Sequence, residues 1–283
     1  MEPTNDYATE SIRPATVFFA GVQVAAVVGV ILIGFSWRGL ALALALYAVR
    51  MFGLTAGFHR YLSHRSFKTS RPFQFCLALL GTLALQKGPL WWAAHHRAHH
   101  KYSDTPRDIH SVRQNGFFWA HLKWIMVGRF EPTDWERIKD LSGYPELKWL
   151  NTYYLVPPIL GAVILGLTLG TWGVVWGFLV STTLLWHGTF CVNSLAHVWG
   201  SKRYATDDDS RNNFFIALFT LGEGWHNNHH HYQRSERQGF FWWELDISHL
   251  VLTACSWVGL VWDLHAPPRH VLEDSAPPEE QAA

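Results

Sequence analysis

Long apolar stretches alternate with polar ones along this chain, and four of the apolar stretches are long enough to cross a membrane. A helix needs about 20 apolar residues to span the hydrocarbon core of a bilayer. The predicted spans form two hairpins, and they cover Ala15–Phe35, Gly39–Phe58, Tyr153–Leu169 and Trp172–Val192. The regions outside the hairpins are richer in polar and charged residues, so we expect them to form a cap.

Two further apolar stretches are shorter than the four predicted spans. They are Phe73–Gln86, with about 14 residues, and Ile247–Trp262, with about 16, lengths that are typical of interfacial helices. If the first stretch crossed the membrane, His59 and His96 would lie on opposite sides. A fifth span over the second stretch is an open alternative to the interfacial helix.

Arg50 interrupts the second predicted span. An arginine at this depth either faces the helix bundle or lies where the helix protrudes from the bilayer. We favour protrusion, because the same helix must deliver His59 to water.

An even number of spans puts both termini and every histidine-rich segment on one side of the membrane. Of the 23 Lys and Arg residues, only Arg38 lies in a turn on the other side, so the positive-inside rule places the cap in the cytoplasm. The predicted segments are an N-terminal tail 1–14, a hairpin 15–58, a first cap region 59–151, a hairpin 152–193, a second cap region 194–265 and a disordered tail 266–283.

The composition agrees with a membrane protein that carries a large polar cap. The chain is 49% hydrophobic, 15% aromatic and only 16% charged, and its formal net charge of +1 gives no sign of a nucleic-acid surface. The three cysteines lie far apart without a C-x-x-C motif, which excludes a disulfide framework and an iron–sulfur cluster. Electrons for any redox reaction must therefore arrive from another protein.

Histidines recur in a pattern that indicates two metal ions. The motif H-x-x-H-H occurs at 96–100 and again at 226–230, and in a helix its three histidines lie on one face. His59 and His64 are five residues apart, about 140° around an α-helix, so they fit one site only where the chain turns. One ion cannot use so many imidazoles, and two ions with four or five ligands each would use them all. The predicted ligands are His59, His64, His96, His99, His100, His197, His226, His229 and His230.

Two neighbours of these histidines have predicted supporting roles. Asn193 and His197 are four apart and would share a helix face, so Asn193 could hold a metal-bound water. Glu223 precedes His226 with the E-x-x-H spacing of carboxylate-bridged di-iron bundles, but no second copy is found, so we expect Glu223 to support a ligand instead. Imidazole suits several transition metals, and the ligand type alone does not choose among them.

Four motifs carry a resemblance to a known family. They read His59-Arg60-Tyr61-Leu62-Ser63-His64-Arg65, His96-Arg97-Ala98-His99-His100, Asn193-Ser194-Leu195-Ala196-His197 and Gly222-Glu223-Gly224-Trp225-His226-Asn227-Asn228-His229-His230. In order and separation, over about residues 37 to 250, they closely resemble the boxes of membrane acyl-CoA desaturases of the stearoyl-CoA type, including stand-alone bacterial members.

The resemblance implies an all-α membrane protein, with four transmembrane helices under a cytosolic helical cap, in a bacterial inner membrane rather than the endoplasmic reticulum. It implies two iron ions on the nine histidines, O2 as co-substrate, and a tunnel in which a saturated acyl-CoA receives a cis double bond near the middle of the chain, of the delta-9 type. Electrons would come from a ferredoxin or cytochrome-type carrier with an NAD(P)H reductase, and no bound haem or flavin is expected. Iron and O2 suit this reaction, because hydrogen removal from an unactivated methylene needs a stronger oxidant than any side chain.

The substrate contacts are where the sequence departs from the animal enzymes of this family. The predicted substrate-binding residues are Gln86, Lys87, Trp91, Trp92 and His95. An Arg-Asp pair that meets the CoA head group in those enzymes is replaced here by Ala94-His95, and Lys87 replaces an Asn. Trp91 and Trp92 could instead belong to an interfacial aromatic belt. We favour acyl-CoA as substrate, with acyl carrier protein and phospholipid as alternatives.

Two other functions are open from the sequence. A hydroxylase could use the same two irons, because a small displacement of the substrate would divert hydrogen removal into oxygen transfer. A membrane protein that binds or transports metal is the non-enzymatic alternative. Transport predicts ionisable residues within the spans, where the chain has only Arg50 and His187.

Overall fold

The computed structural model describes residues 14–274 and is mostly helical. Nearly all of the predicted N-terminal tail, and the end of the predicted C-terminal tail, lie outside the described residues. The α-helices are α1 (Pro14–Ile33), α2 (Trp37–Phe52), α3 (Arg71–Thr82), α4 (Pro89–Tyr102), α5 (Val112–Asn115), α6 (Phe117–His121), α7 (Pro145–Thr152), α8 (Val156–Gly173), α9 (Ser181–Asn193), α10 (Phe214–Phe219), α11 (His226–His231), α12 (Ile247–Trp257) and α13 (Arg269–Glu273).

Other helical and extended segments join these helices. Two π-helical segments continue α2 and α8, at Gly53–Ser63 and Val174–Val180. Within residues 14–274, 3₁₀ turns lie at Lys123–Met126, Gly128–Phe130, Trp135–Ile138 and Leu195–His197. The strands β1 (Lys68–Thr69) and β2 (Val261–Trp262) pair in antiparallel fashion, a small sheet that the all-α prediction did not include.

Three helical stretches in the described part are long and apolar enough to cross a membrane. They are Pro14–Ile33, Trp37–Ser63 and Val156–His197. The third has 42 residues, which would extend about 63 Å if straight, and it is broken at Gly170, whose φ of 63° and ψ of −160° are not helical. A Cβ on Gly177 would lie 3.0 Å from Leu165 Cδ1, whereas twelve residues of straight helix span about 18 Å. The chain therefore bends back on itself at Gly170.

Arg50 faces the helix bundle, which is the alternative that the sequence analysis did not favour. Its side chain is only 6% exposed. The guanidinium donates hydrogen bonds to Ser181 Oγ at 2.5 Å, Thr182 Oγ1 at 2.8 Å and the Leu83 carbonyl oxygen at 3.3 Å. Buried charges are tolerated when such acceptors satisfy them, and Arg50 thereby joins α2 to α9.

The two short apolar stretches form short helices. The first is α3, with 12 residues, and the second is α12, with 11, or about 18 and 16 Å of helix. α3 packs closely on the π-helical segment Gly53–Ser63, because a Cβ on Gly53 would lie 2.4 Å from the Gly81 backbone nitrogen. Helix α12 ends before Gly259, whose φ is 71°, and the chain continues into β2.

The cap attaches to this framework through α4. Pro89 lies in the first turn of α4, where its fixed φ suits a helix start. Farther along, the Arg97 guanidinium donates to the carbonyl oxygens of Leu62 at 2.8 Å and Ser63 at 2.9 Å. These bonds fix α4 against the end of the π-helical segment.

The described part of the C-terminal tail differs from the predicted disorder. Residues Arg269–Glu273 form α13, and Val271 is 6% exposed in a small cluster with Tyr204 and Phe240. The sequence offers little sign of this helix, because one buried apolar residue, Val271, is hard to recognise in a proline-rich segment.

Candidate metal centre

Five histidine side chains from three helical segments converge on one point. We call them the five-histidine group, and they are His59, His64, His96, His100 and His229, whose candidate ligand atoms all lie within 4.8 Å of one another. The Nε2 atoms of neighbouring rings are 2.8 to 3.0 Å apart. Metal–nitrogen bonds of about 2.0–2.1 Å at right angles would separate ligand atoms by about 2.9 Å, so this spacing fits a shared ion.

His59 and His64 join this group through a π-helix rather than through the predicted turn. The backbone N–H of His64 donates to the carbonyl oxygen of His59 at 3.2 Å, which is the i→i+5 bond of a π-helix. Such a bond places residues five apart above one another, and the two rings are 4.8 Å apart. The 140° separation expected for an α-helix therefore does not apply here.

Four other histidines form a second convergence. This four-histidine group consists of His99, His197, His226 and His230, all buried, and its candidate ligand atoms also lie within 4.8 Å of one another. His197 Nε2 and His226 Nε2 are 3.1 Å apart. His197 lies on the 3₁₀ turn Leu195–His197, because α9 ends at Asn193, so the predicted shared helix face of Asn193 and His197 was wrong.

The two H-x-x-H-H motifs each supply ligands to both groups. His96 and His100 of α4 belong to the five-histidine group, whereas His99 between them belongs to the other. In α11 the assignment is reversed, because His226 and His230 belong to the four-histidine group and His229 to the five-histidine group. Adjacent residues on a helix point about 100° apart, so one short motif can supply ligands to both groups.

Aspartates hold three of the four rings in the four-histidine group. The Nδ1 atoms of His99, His197 and His230 lie 3.0, 3.2 and 2.5 Å from carboxylate oxygens of Asp108, Asp104 and Asp208. A carboxylate on Nδ1 fixes the tautomer and leaves Nε2 free for a metal. The sequence analysis did not identify these aspartates, which lie nine or more positions from their histidines.

The charges of this group are strongly coupled. Burial alone would raise the pKa of the Asp108 and Asp208 carboxyl groups, but the neighbouring imidazoles outweigh burial and hold both well below the usual range. Burial likewise tends to lower the pKa of His99, but Asp108 outweighs it and the pKa rises. In the five-histidine group, burial lowers the pKa of His96 and His100 well below 6.5, so those imidazoles are neutral and available as ligands at pH 7.

Glu223 supports the five-histidine group from outside. Its carboxylate lies 2.5 Å from His59 Nδ1 and also accepts hydrogen bonds from Arg60 at 3.1 and 3.2 Å. Arg60 is 1% exposed and pairs in addition with Asp246 at 3.0 Å. Glu223 thus belongs to a buried ion-pair network as well as to the histidine site.

Two buried Nε2 atoms of the four-histidine group lack a hydrogen-bond partner, as expected for atoms that bind a metal ion. His99 Nε2 and His230 Nε2 are buried and have no hydrogen-bond partner, although buried polar atoms are almost always paired. Both face their own group while Asp108 and Asp208 occupy the opposite nitrogens. The donor set, its spacing and these unpaired atoms fit two transition-metal ions bound mainly by imidazole.

Asn193 lies at a small cavity that adjoins both groups. This cavity has a volume of about 50 Å³, enough for a water molecule. Its lining includes Asn193, His59 and His96 from one side and His99 and His226 from the other. Asn193 therefore borders a cavity that adjoins both histidine groups, and its role as a holder of metal-bound water stays a prediction.

A much larger cavity begins beside the five-histidine group. Its volume is about 870 Å³, and apolar side chains make up most of its wall. All five predicted substrate-binding residues line it, together with His96 and Asn193; they are Gln86, Lys87, Trp91, Trp92 and His95. Trp92 stacks on the His96 ring with centroids 4.9 Å apart, so one indole contacts both the cavity and a candidate ligand.

A strained turn holds the predicted substrate residues at the cavity. Leu85 and Lys87 have φ values of 58° and 68°, which are uncommon for residues other than glycine. The Trp186 indole donates to the Leu85 carbonyl oxygen at 3.1 Å, and the Gln86 amide donates to Thr189 Oγ1 at 3.0 Å. Strain of this kind persists only where surrounding contacts enforce it, and here it directs Gln86 into the cavity.

The remaining histidines have structural contacts. His121 and His187 hydrogen-bond to each other at 3.0 Å, and His249 Nδ1 lies 2.7 Å from Glu236. His231 stacks on Tyr204. His110 lies beside Asp108, at 4.0 Å from its carboxylate, and its Nδ1 has no hydrogen-bond partner.

Comparisons with known proteins all indicate one family. The model of the family described as fatty acid desaturase matches residues 35–263. The chain is 39% identical to the sn-2 palmitoyl-lipid 9-desaturase of Nostoc sp. (strain 36), over 80% of this chain and 81% of that protein. It is 39% identical to the sn-1 stearoyl-lipid 9-desaturase of Anabaena variabilis, over 87% and 90%. It is also 39% identical to the acyl-CoA C20 delta5-desaturase of Anemone leveillei, over 82% and 76%.

Proposed function

This chain belongs to the fatty acid desaturase family, and we propose that it introduces a cis double bond near the middle of a saturated long-chain acyl group. It is an oxidoreductase with candidate membrane helices and histidine clusters able to hold metal. The position of the double bond is inferred from relatives that are named 9-desaturases. The observation that carries the proposal is the placement of His96, which belongs to the five-histidine group and also lines the large apolar cavity.

We propose that both metal ions are iron and that each histidine group binds one of them. We further propose that Asn193 holds a water molecule beside them. When bound, two irons with O2 supply an oxidant strong enough to remove hydrogen from a methylene group. The protein's own residues place that methylene and keep water away. The apolar wall of the cavity receives the acyl chain, and Trp92 fixes the His96 ring beside it. Positioning of this kind accounts for a large part of enzymatic rate enhancement.

We place the cap and both termini in the cytoplasm, with four membrane crossings. The bend at Gly170 supports two crossings by the 42-residue stretch Val156–His197, because a straight helix of that length would exceed the bilayer thickness of about 30 Å. The distribution of Lys and Arg supports the orientation. A bacterial inner membrane is the proposed location.

The proposed partners are a long-chain acyl substrate and an external electron donor. Relatives are named for acyl groups carried on lipids and for acyl-CoA, so the family contains both kinds of carrier. The three cysteines are separate and unpaired and cannot form a redox cluster. Electrons therefore come from a soluble or membrane carrier, such as a ferredoxin or cytochrome with its reductase.

Lipid analysis of a host that expresses this protein tests the proposal. The wild type is expected to raise the content of monounsaturated acyl chains, whereas His100→Ala, which removes a candidate ligand, is not. Lys101→Ala changes the adjacent exposed side chain and serves as the matched control. Gas chromatography of the fatty acid esters also reveals the bond position. Hydroxylated chains, or no new product from well-expressed wild type, would contradict the proposal.

A further inference from the structure

Two histidines outside the metal groups form a hydrogen-bonded pair where the cap meets the candidate membrane spans. His121 belongs to α6 and His187 to α9, and the His121 Nε2 atom lies 3.0 Å from His187 Nδ1. The two rings stack, with centroids 5.3 Å apart. His187 lies within the candidate span Val156–His197. Ionisable residues are costly in a membrane span and usually have a function, so this pair requires an explanation.

The pair is the middle of a chain of hydrogen bonds that joins α1 to the residue that follows α9. His187 Nε2 lies 2.8 Å from the amide oxygen of Gln23 in α1, and His121 Nδ1 lies 2.8 Å from the Ser194 hydroxyl oxygen. An amide oxygen can only accept, and a neutral imidazole donates through one nitrogen and accepts through the other. His187 therefore donates to Gln23 and accepts from His121. His121 in turn accepts from Ser194, so all the hydrogen bonds of the chain run in one direction.

Ser194 marks the point where α9 ends and the backbone turns towards the four-histidine group. Its side chain is completely buried. It lies between Asn193, the last residue of α9, and the 3₁₀ turn Leu195–His197. The backbone N–H of His197 donates to the Ser194 carbonyl oxygen at 3.2 Å. A shift of Ser194 would therefore move the candidate ligand His197 and its neighbour Asn193 together.

The pair itself belongs to neither histidine group and to neither cavity. His121 and His187 are absent from both groups of candidate ligands and from the lining of the large and the small cavity. The Phe190 ring, which lines the large cavity, contacts both imidazoles, with centroids 5.8 Å from His121 and 6.1 Å from His187. Hydrogen bonds are stronger in such apolar surroundings than in water. The two histidines can therefore affect the site through the residues that they hold, without contact to substrate or metal.

We propose that His121 and His187 are positioning residues for the four-histidine group. They hold Ser194 in place and, through its backbone, the ligand His197. Gln23 fixes the tautomer of His187, which fixes that of His121. This inference rests on the proposed metal centre and adds residues that support it from the membrane spans. The chain of neutral groups ties α1 to the metal site without placing a charge in the membrane.

Cobalt binding tests the proposal with a readout that does not depend on activity. Metal-free protein in detergent is titrated with Co2+, whose visible spectrum reports the geometry of its ligands. His121→Leu removes the hydrogen bond to Ser194, whereas His121→Gln keeps an amide that can donate and accept. His249→Leu, which removes the hydrogen bond to Glu236, is the matched control.

His121→Leu is expected to change the spectrum and to weaken the binding of one of the two Co2+ ions by about tenfold, the lower end of the effect of changing a residue that supports a ligand. His121→Gln should recover most of that affinity, and His249→Leu should match the wild type. Wild-type spectrum and affinity in folded His121→Leu would overturn the proposal. An equal loss in His249→Leu would also overturn it, because the effect would then be general destabilisation.

A substitution at the far end of the chain tests whether its hydrogen bonds act in sequence. Gln23→Leu removes the acceptor of His187 Nε2 and is expected to weaken the same Co2+ ion, by a smaller factor than His121→Leu. Val24→Leu changes the neighbouring residue, which is exposed, and should have no effect. If Gln23→Leu bound Co2+ as tightly as Val24→Leu, the role assigned to Gln23 would be wrong. This test also applies if His121→Leu does not fold.

These measurements separate this inference from the proposed function. Wild-type protein that binds two Co2+ ions but makes no unsaturated product when loaded with iron would contradict the desaturase function and leave the positioning role open to the same cobalt test. Wild-type protein that does not bind Co2+ would contradict the metal centre, and the inference would fail with it. In an active enzyme, His121→Leu should lower kcat and leave KM unchanged, because the residue does not line the substrate cavity.

Discussion

The two histidine groups differ in what supports their rings. In the four-histidine group every ring is buried, and three of the four Nδ1 atoms face an aspartate. In the five-histidine group, one ring among the described residues has a carboxylate at its Nδ1 atom: His59 contacts Glu223, which also pairs with Arg60. His64, His96 and His100 are only partly buried. One group is therefore held by fixed charges, and the other mainly by the packing of imidazoles.

This difference matches the position of each group relative to the large apolar cavity. His96 of the five-histidine group lines the large cavity, whereas no member of the four-histidine group does. Carboxylate partners increase the basicity of a histidine ligand and orient it. We therefore expect the ion of the four-histidine group to be bound more tightly, and the ion of the five-histidine group to exchange more readily.

Removing one ligand from each group should have the largest effect. His229 and His230 are adjacent in α11 but belong to different groups, so His229→Ala and His230→Ala form a matched pair. Each variant is expected to lose one of the two ions. Its activity should fall by more than about 100-fold, because changing a residue that only supports a ligand already costs up to about that much. Iron per chain and product yield are measured together. If His231→Ala, the neighbouring control, lost as much iron, the assignment of ligands would be wrong.

Acid should destabilise the metal-free protein first through its buried imidazoles, most of which belong to the five-histidine group, although burial also lowers the pKa of His226 and His230 in the other group. Burial lowers the pKa of His64, His96, His100 and His229 well below 6.5. As pH falls below about 6.5, the unfolded chain binds protons that the native chain does not, so stability falls, by up to about 1.4 kcal/mol per pH unit for each imidazole.

The aspartates of the other group should respond at lower pH. Their pKa values are held below the usual range, so their contribution is present at neutral pH and is lost only below about pH 4. Thermal unfolding of metal-free protein in detergent between about pH 8 and 4 measures both effects. A Tm that stayed constant down to about pH 5 would contradict the lowered imidazole pKa values.

Glu223→Gln should lower the folding stability of the protein. Arg60 would lose one partner of a buried ion-pair network, and breaking a buried pair typically costs about 3–5 kcal/mol. We expect the lower end, because Asp246 still pairs with Arg60. The control is Glu146→Gln, which breaks the Arg71 pair at the surface and should cost at most about 1 kcal/mol. Equal unfolding midpoints for the two variants would show that the Arg60 network contributes little.

The sequence predicts those parts of the site that depend on local spacing. Helical periodicity makes the H-x-x-H-H motifs recognisable, because residues three and four apart are neighbours in space whatever the rest of the fold. The same periodicity also explains why neighbouring histidines belong to different groups, since His99 and His100 point in directions about 100° apart. The π-helix that joins His59 to His64 is different, because residue spacing does not indicate i→i+5 bonding; it begins at Gly53, which packs closely against α3.

Long-range partners could not be predicted from the sequence. Asp104 meets His197 across 93 positions, and Arg50 meets Ser181 and Thr182 across more than 130. Such contacts depend on how the helices pack, which residue spacing does not encode. The apolar pattern did predict stretches of membrane-spanning length, but an arginine on such a stretch gives no sign of which face it occupies.

Asp208→Asn should lower the metal affinity of the four-histidine group by about 10–100-fold, the usual effect of removing a carboxylate behind a histidine ligand. The amide keeps the size of the side chain but not its charge. Iron retained during dialysis against graded chelator measures the effect. Asp207→Asn, at the preceding residue, is the control. Loss of the five-histidine ion instead of the four-histidine one would reverse the expected difference between the groups.

Asp104→Asn should have the smallest effect of these substitutions on iron binding. Its oxygen is the farthest from a ring nitrogen, at 3.2 Å from His197 Nδ1, compared with 2.5 Å for Asp208 and His230. The same oxygen, Oδ2, accepts a hydrogen bond from the Asp209 backbone N–H at 2.8 Å, whereas Oδ1 accepts one from the Ser111 hydroxyl at 2.6 Å. An asparagine whose amide oxygen takes the Oδ2 position keeps the contacts to His197 and Asp209, and its NH2 group can donate to Ser111 Oγ. We expect a loss near the lower end of the range, about tenfold, in the same chelator titration. If Asp104→Asn lost more iron than Asp208→Asn, contact distance would not determine how strongly these aspartates support their ligands.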